Sequence, residues 1–273
     1  MIKYKPVPKF KTPISYYGGK QTMVSKILPL IPNHKLYVEP FLGGGAVFWS
    51  KPKSEMECIN DLNGHVVTFY RVMKEDFALL RNIIKSTPAS RRIHRETEYI
   101  LKNSEYFSDI RVAWAFWVQT NMSFSSTIFG GYGYGRGDSC VKKIDNKRLQ
   151  FTKALTQRLD RTDIECNDAL KVIQSRDSAD TFVYADPPYH NAHMGHYGGY
   201  TEDEFKQLLN TLSNMKGKFL LSSYHSEPLS EFTAANNWHT HEIRKKIVAC
   251  RGDRSKMKVE VLTANYDLTQ SAN

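Results

Sequence analysis

The sequence predicts an α/β fold, and three segments carry that prediction. The run Leu36-Tyr37-Val38 is typical of a short strand, and a glycine-rich loop leads from it into an apolar segment. The run 181–185 is typical of a buried strand and stops at two consecutive prolines, which cannot donate to a sheet ladder. Between these strands lies a long segment with helical patterning. We expect a sheet domain made of residues 1–70 and 165–273, interrupted by a mostly helical insertion at 71–164.

The segment Tyr16-Tyr17-Gly18-Gly19-Lys20 precedes a helical pattern that runs from Met23 to Leu30. A phosphate-binding P-loop is excluded, because Ile14 stands where a glycine is needed and Gln21 where Ser or Thr would meet Mg²⁺. Lys20 is either a solvated lysine at a helix start or a partner for a carboxylate-bearing ligand.

The loop Glu39-Pro40-Phe41-Leu42-Gly43-Gly44-Gly45 lies between a predicted strand and a predicted helix. Glycines in this place let the backbone approach a ligand closely. The spacing is not that of a dinucleotide fingerprint. The next predicted strand, Cys58-Ile59-Asn60-Asp61, ends in a carboxylate, where α/β nucleoside sites place an acid on the ribose. A plain glycine-rich turn and a helix-capping Asp61 are the structural alternatives.

The insertion concentrates positive charge. Residues 71–164 hold 17 Lys and Arg against 10 Asp and Glu, and the whole chain carries a formal charge of +10. This density suits a polyanion backbone. The local clusters comprise Arg91, Arg92 and Arg95, and then Lys142 and Lys143.

The middle of the insertion is aromatic. Val112 to Val118 predicts a core helix, whereas the alternating glycines and tyrosines of 130–137 predict a loop that exposes aromatic faces. Such a loop is either a simple connector or an element that enters a DNA groove.

The tetrapeptide Asp186-Pro187-Pro188-Tyr189 ends the strand 181–185, at the edge where open sheets bind ligands. The Asp186 carboxylate and the Pro187 carbonyl form a two-acceptor clamp for an NH₂ group, and Tyr189 offers a stacking face. An amine conjugated to a nucleobase is a poor nucleophile, because its lone pair is delocalised. Two acceptors would pyramidalise its nitrogen and aim the lone pair at a bound carbon electrophile. A structural turn is the alternative.

The ordered motifs Tyr-x-Gly-Gly-Lys, Glu-Pro-Phe-x-Gly-Gly-Gly, Asn-Asp-x-Asn and Asp-Pro-Pro-Tyr resemble those of the Dam-type, alpha-group DNA N6-adenine methyltransferases. The segments 200–205, 219–224 and 259–266 are similar to the family's next helix start, core strand and closing hairpin strand, with Glu260 in the expected place. The resemblance implies a Rossmann-like methyltransferase sheet with a target-recognition insertion.

The resemblance also implies S-adenosyl-L-methionine as methyl donor. The implied cofactor residues are Tyr16, Gly18 and Lys20 at its methionine end, Phe41, Gly43 and Gly45 beneath it, Asp61 at its ribose and Asp168 at its adenine amine. An ordinary N-cap for the helical pattern 169–174 is the alternative for Asp168.

The implied reaction is methyl transfer to the N6 amine of an adenine flipped out of duplex DNA into the clamp. The residues expected on DNA are Arg91, Arg92, Arg95, Asn121, Ser123, Arg136, Lys142 and Lys143. The best-known members methylate GATC and carry an Arg shortly after a Phe-Asn-Gly stretch, whereas here no Arg follows until Arg136. We therefore expect either a target other than GATC or guanine recognition by Arg136. An RNA or free-nucleobase methyltransferase, and an inactive DNA-binding regulator, are the alternatives.

The remaining features narrow the setting. No stretch approaches 18 apolar residues and no signal-peptide pattern is present, so we expect a cytoplasmic protein without a membrane span. The four cysteines are scattered, which predicts neither disulfides nor a zinc site, and we interpret His190, His193 and His196 as ordinary loop histidines. A monomer or weak dimer is expected, with duplex DNA as substrate and a cognate restriction endonuclease as a partner that this activity allows.

Overall fold

The computed structural model describes residues 10–134, 139–189, 200–246 and 257–269. Its helices within those ranges are α1 (Val24–Ile27), α2 (Ala46–Ser50), α3 (Gly64–Glu75), α4 (Phe77–Ser86), α5 (Arg91–Lys102), α6 (Asp109–Met122), α7 (Ser139–Gln150), α8 (Ala154–Leu159), α9 (Ala169–Arg176), α10 (Glu202–Ser213) and α11 (Glu227–Asn236). Its strands are β1 (Leu36–Glu39), β2 (Met56–Asn60), β3 (Thr162–Glu165), β4 (Thr181–Ala185), β5 (Lys218–Ser223), β6 (His239–Lys246) and β7 (Met257–Ala264).

The strands form a seven-stranded sheet in the order β3-β2-β1-β4-β5-β7-β6. β1 runs parallel to both β2 and β4, and β4 runs parallel to β5. β7 is antiparallel to β5 and β6, as in the closing hairpin that the resemblance implied. The predicted α/β, Rossmann-like fold is confirmed. Since the strand order reverses at β1, the carboxyl ends of β1 and β4 flank a switch point, where open α/β sheets bind ligands.

The chain divides into two compact units. The first consists of Met1–Leu28, Leu42–Lys53 and Asp61–Cys166, and the second of Pro29–Phe41, Ser54–Asn60 and Asn167–Asn273. The first unit therefore contains more than the predicted insertion 71–164, because it also holds most of the glycine loop and the helix after Asp61. The division at 71 and 164, and its role in target recognition, stay predictions.

The first unit is built around α6. Every residue from Val112 to Met122 is buried, which confirms the predicted core helix. The centroid of the Phe116 ring on α6 lies 6.1 Å from that of the Phe69 ring on α3, so aromatic packing joins the two helices. The Phe116 ring also lies 6.4 Å from the Tyr16 ring, so segments on both sides of the glycine loop in sequence contact this helix.

The core of the second unit lies between the sheet and α9, α10 and α11. It contains alternate apolar residues of β1, β4 and β5, together with Phe205, Leu208 and Leu212 of α10. Helix α10 begins with a capping box, in which the Thr201 hydroxyl accepts from the Glu204 N–H and the Glu204 carboxylate accepts from the Thr201 N–H. The helix start predicted after residue 200 is confirmed.

Candidate active site

The clamp residues Asp186, Pro187, Pro188 and Tyr189 follow β4 directly. β4 is buried along its whole length and Pro187 is buried, whereas Asp186 is only partly buried. The strand therefore delivers a carboxylate to the sheet edge without sealing it in the core. Position and partial exposure match what a substrate-contacting acceptor needs.

The Tyr189 hydroxyl is the centre of a polar cluster in the second unit. It lies 2.7 Å from Oε1 of Glu260, 3.2 Å from the Ser222 hydroxyl and 3.3 Å from Oδ1 of Asp186. The Ser222 hydroxyl donates to the same Glu260 oxygen at 3.0 Å. Burial, followed by the charges of Asp186 and Glu260, raises the pKa of Tyr189 well above its usual value, so its hydroxyl keeps its proton.

Ser222 and Glu260 were not predicted as site residues. Both are almost fully buried, on β5 and β7 respectively. A glutamate inside the apolar run 259–264 was a signal in the sequence, but only the pairing of β7 with β5 brings it to the clamp. The Tyr189 ring also contacts the Tyr224 ring, with centroids 4.3 Å apart at 54°. The ring is thus held both at its hydroxyl and along its side.

In the first unit, Tyr16 packs on the glycine loop. A Cβ atom added at Gly43 would lie 2.9 Å from Cδ1 of Tyr16, and one added at Gly44 would lie 3.0 Å from its Cβ. Gly43 and Gly45 also adopt positive φ angles of 48° and 64°. Their backbone therefore needs glycine for its conformation, and at Gly43 also for the close approach of an aromatic ring.

Asp61 completes this arrangement. Its Oδ2 accepts the Gly43 N–H at 2.7 Å and its Oδ1 accepts the Asn63 N–H at 2.9 Å. The cap of α3 is Asn63, so Asp61 is not the helix-capping residue of the structural alternative. Burial raises the pKa of Asp61 to about 6, although the two N–H donors oppose that shift. Three separate sequence motifs, at Tyr16, Gly43 and Asp61, thus meet in one place.

Lys20 is not a solvated helix-start lysine. It is buried, its Nζ donates to the Gly18 carbonyl at 3.3 Å, and α1 begins only at Val24. Gly18 has a φ of 74°, which glycine adopts without strain. The Tyr-Gly-Gly-Lys segment therefore forms a tight turn that folds its ammonium group inwards.

In the second unit, Phe41, Tyr200 and Asp168 form a further group. The rings of Phe41 and Tyr200 lie edge to face with centroids 6.5 Å apart. Burial raises the pKa of Tyr200, and the charges of Glu204 and Asp168 raise it further. Asp168 does cap α9, because its Oδ1 accepts the N–H groups of Leu170 and Lys171. Both cap bonds go to Oδ1, so capping leaves Oδ2 available for a ligand amine.

Asn60 was not predicted as a site residue, yet it joins two loops of the second unit. Its Nδ2 donates to the carbonyls of Pro40 and Asn167, and its Oδ1 accepts the Asn167 N–H at 2.9 Å. The Asn167 side chain in turn accepts the Asp168 N–H. Asn60 thereby sets the position of Asp168 relative to the start of the glycine loop.

The basic residues predicted on DNA are mostly exposed in the first unit. Arg91, Arg92 and Arg95 are exposed on α5, and the Arg91 guanidinium lies 5.4 Å from the ring centroids of both Tyr132 and Tyr134. On α7, Lys142 is exposed, while Nζ of Lys143 donates to the Ser126 hydroxyl at 3.2 Å. Arg136, and the histidines at 190, 193 and 196, lie outside the described residues.

Asn121 and Ser123 are placed differently from the basic residues. Both are buried: Asn121 accepts the Ser15 N–H and donates to the Trp117 carbonyl, and Ser123 bonds with His94 and Gln119. In this conformation their side chains hold the unit together and do not face solvent. Their contact with DNA stays a prediction that would require a local rearrangement.

Gly43→Ala is expected to weaken both the fold and cofactor binding. The new methyl would press on the Tyr16 ring at 2.9 Å with φ at 48°, and together these cost about 1–3 kcal/mol. Thermal unfolding and S-adenosylmethionine titration measure both effects. Gly64→Ala is the matched control, because nothing lies within 4 Å of its added Cβ and alanine favours the helix that starts there. Equal behaviour of the two variants would contradict this reading of Gly43.

Comparison with known proteins identifies the class. A family model described as D12 class N6 adenine-specific DNA methyltransferase matches residues 16–247. The chain belongs to that family. It is 24% identical over 279 residues to the DNA N-6-adenine-methyltransferase of Escherichia phage P1, covering 95% of this chain and 36% of that protein.

Two relatives match over nearly their whole length. The chain is 24% identical to the type II methyltransferase M.MjaIII of Methanocaldococcus jannaschii, covering 93% of this chain and 98% of that protein. It is 27% identical to the type II methyltransferase M1.LlaDCHI of Lactococcus lactis subsp. cremoris, covering 91% and 93%. A solved precorrin-6y C5,15-methyltransferase from Geobacter metallireducens aligns with 7% identity over 97% of this chain and 98% of that one, at a TM-score of 0.40.

Two further observations concern the described residues only. None of the helices in them is long and apolar enough to cross a membrane. Nor do three or more of their His, Cys, Asp and Glu side chains come together in a way that could hold a metal ion.

Proposed function

We propose that the protein transfers a methyl group from S-adenosylmethionine to the N6 amine of an adenine flipped out of duplex DNA. The observation that carries the proposal is the placement of Asp186, Pro187 and Tyr189 at the carboxyl end of buried β4, with the Asp186 carboxylate only partly buried. An acceptor pair beside an aromatic ring suits a flat base that bears an amino group. Family membership supports the same chemistry.

The residues of the first unit suit the ribose and methionine parts of the cofactor. Both oxygens of Asp61 already accept one N–H, and each carboxylate oxygen can accept a second hydrogen bond, which suits ribose hydroxyls. The tight glycine loop beneath Tyr16 offers backbone that a ligand can approach closely. The inward-folded ammonium of Lys20 suits a carboxylate. When bound, S-adenosylmethionine supplies a methyl group attached to a positively charged sulfur, and the carbon of that methyl group is the electrophile.

In the second unit, the residues fit the adenine part of the cofactor. Oδ2 of Asp168 is oriented by the cap bonds of Oδ1 and can accept an amine hydrogen, while Phe41 lies beside Tyr200 as an apolar ring pair. Asn60 holds the loop that bears Asp168. Capping and ligand binding are therefore compatible roles for this carboxylate.

Asp186 and the Pro187 carbonyl accept the two hydrogens of the target amine, which concentrates the lone pair on its nitrogen. Tyr189 provides the face on which the base stacks. As the new N–C bond forms, the bond between the methyl carbon and the cofactor sulfur would break and a neutral thioether would leave. The nitrogen would become positively charged, the Asp186 carboxylate would stabilise that charge, and the nitrogen would then lose one of its hydrogens as a proton, through Asp186 to solvent. Such stabilisation acts on the transition state more than on the bound ground state, so it raises kcat.

We further propose that the exposed basic residues of α5 and α7 contact DNA phosphates. Contacts of this kind position a protein on the duplex but do not read sequence. A cognate restriction endonuclease, a monomeric or weakly dimeric state and a cytoplasmic location remain parts of the proposal, and the two type II relatives support the first of them.

A methyl-transfer assay tests the proposal directly. Purified protein and labelled S-adenosylmethionine are incubated with unmethylated duplex DNA, with RNA or with free adenine, and modified DNA is sequenced for N6-methyladenine. Incorporation into duplex DNA at one short site is the expected result. Label on RNA or free base alone would replace the proposed substrate, and no transfer to any of them would contradict the proposed activity and favour the inactive regulator.

Arg136→Ala is expected to relax sequence preference, because a bidentate arginine on guanine is worth about 1–3 kcal/mol of discrimination. Arg91→Ala and Lys143→Ala should instead weaken binding to all sequences and reduce the slope of log affinity against log salt by about 0.9 per lost phosphate contact. Methylome sequencing and salt titrations measure the two effects. Strict GATC methylation that Arg136→Ala leaves unchanged would contradict the assignment.

A further inference from the structure

Glu260 is a buried carboxylate beside the clamp that the proposed chemistry does not use. Glu260 is only 4% exposed, and the residues that follow it on β7, Val261 and Leu262, have buried apolar side chains. Burying a charge costs free energy, and an apolar residue in its place would often stabilise a sheet equally well. Stability alone therefore does not account for a glutamate at this position.

The carboxylates of Glu260 and Asp186 compete for one hydrogen-bond donor, the Tyr189 hydroxyl. The Tyr189 hydroxyl has one hydrogen to donate and lies 2.7 Å from Oε1 of Glu260 but 3.3 Å from Oδ1 of Asp186. The shorter distance is typical of an O–H bonded to an ionised acceptor, whereas the longer one exceeds the usual range of 2.5–3.0 Å for such bonds. The hydroxyl therefore donates to Glu260.

We propose that Glu260 is a positioning residue: it draws the Tyr189 hydroxyl away from Asp186, so that the Asp186 carboxylate keeps its full acceptor strength for a hydrogen of the target amine. The same bond fixes one end of the Tyr189 ring, whose side rests on Tyr224. Ser222 supports the arrangement through its own bond to Glu260. This inference rests on the proposed function, because it concerns the acceptor that the target amine needs.

Glu260→Gln tests the competition with a side chain of nearly the same shape. A neutral amide oxygen accepts less strongly than a carboxylate, so the Tyr189 hydroxyl should turn to Oδ1 of Asp186, which lowers the acceptor strength of that carboxylate toward the target amine. We expect kcat to fall roughly tenfold, the usual worth of one hydrogen bond to a charged group, while KM for S-adenosylmethionine and for DNA stays within about twofold.

The decisive variant is the double substitution Tyr189→Phe with Glu260→Gln. Removing the hydroxyl removes the competing donor, so the double variant should be faster than Glu260→Gln alone and close to Tyr189→Phe alone. A purely structural role of Glu260 predicts no such rescue. Glu260→Leu, which removes the acceptor without adding an amide, should be rescued by Tyr189→Phe in the same way.

Ser223→Ala is the matched control. Ser223 neighbours Ser222 on β5 and is also buried, but among the described residues its hydroxyl has no hydrogen-bond partner. The kcat of the Ser223→Ala variant should therefore equal that of the wild type. If the wild type is active but the Tyr189→Phe, Glu260→Gln double variant is as slow as Glu260→Gln or slower, the positioning role of Glu260 is overturned. Absence of methyl transfer by the wild-type protein would overturn the proposed function itself, so the two failures are distinguishable.

Discussion

Asp186→Ala is expected to abolish methyl transfer while leaving the binding of S-adenosylmethionine and DNA largely intact. The carboxylate acts on the geometry and developing charge of the reacting nitrogen, so its loss should lower kcat by at least about 100-fold with little change in either dissociation constant. Asp186→Asn keeps one acceptor oxygen but adds a competing donor, and it should also be severely impaired. Single-turnover kinetics with saturating DNA and cofactor measure the chemical step separately from binding.

Tyr189 provides the comparison within the same clamp. Tyr189→Phe keeps the ring and should be tolerated far better than Tyr189→Ala, because stacking depends on the aromatic face. All these substitutions directly follow the buried strand β4, so they could also disturb the fold. Thermal unfolding should verify that each variant remains folded. Near-wild-type turnover in Asp186→Ala or Asp186→Asn would show that the amine is not activated by this carboxylate.

Asp61→Ala is expected to raise KM for S-adenosylmethionine roughly 10- to 100-fold, the usual worth of a hydrogen bond between a charged group and a hydroxyl. KM for DNA should change much less, because no step proposed for DNA involves this carboxylate. Some of the loss arises from the loop, since the Gly43 N–H would lose its acceptor. Asp61→Asn retains an acceptor for that N–H and separates the two contributions. Equal effects on cofactor and DNA would remove Asp61 from the cofactor site.

The pH dependence of cofactor binding tests the same residue. Burial raises the pKa of Asp61 to about 6, so the carboxylate is ionised above that pH and becomes protonated as the pH falls through it. Binding that needs the ionised form should therefore be strong at pH 8 and about tenfold weaker at pH 5. Calorimetric titration across this range should show that dependence in the wild type. The Asp61→Asn protein has no titrating group at this position, so its cofactor affinity should lack this tenfold fall between pH 8 and pH 5.

Local patterns were sufficient for three of the strands in the sheet, and the resemblance indicated β5 and β7. The strand 181–185 was predicted with its observed bounds, because two prolines cannot continue a ladder and therefore mark its end. The strand at 36–38 is one residue longer, and the strand expected at 58–61 lies at Met56–Asn60. The helical pattern 23–30 folds as a short α-helix followed by a 3₁₀ turn, a difference that depends on hydrogen bonds within the last turn.

The sequence by itself determined the class of the protein, because its motifs are local: a proline pair ends a strand, glycines permit positive φ, and a carboxylate follows each of two strands. Only the tertiary structure decided which residues meet. It shows that Asn63 caps α3 and releases Asp61 to the Gly43 N–H, that Asn121 and Ser123 are buried, and that Glu260 reaches the Tyr189 hydroxyl. Apart from the Asn63 cap, these contacts join residues that are far apart in the chain, and strand pairing and helix packing, which no local pattern encodes, bring them within hydrogen-bonding distance.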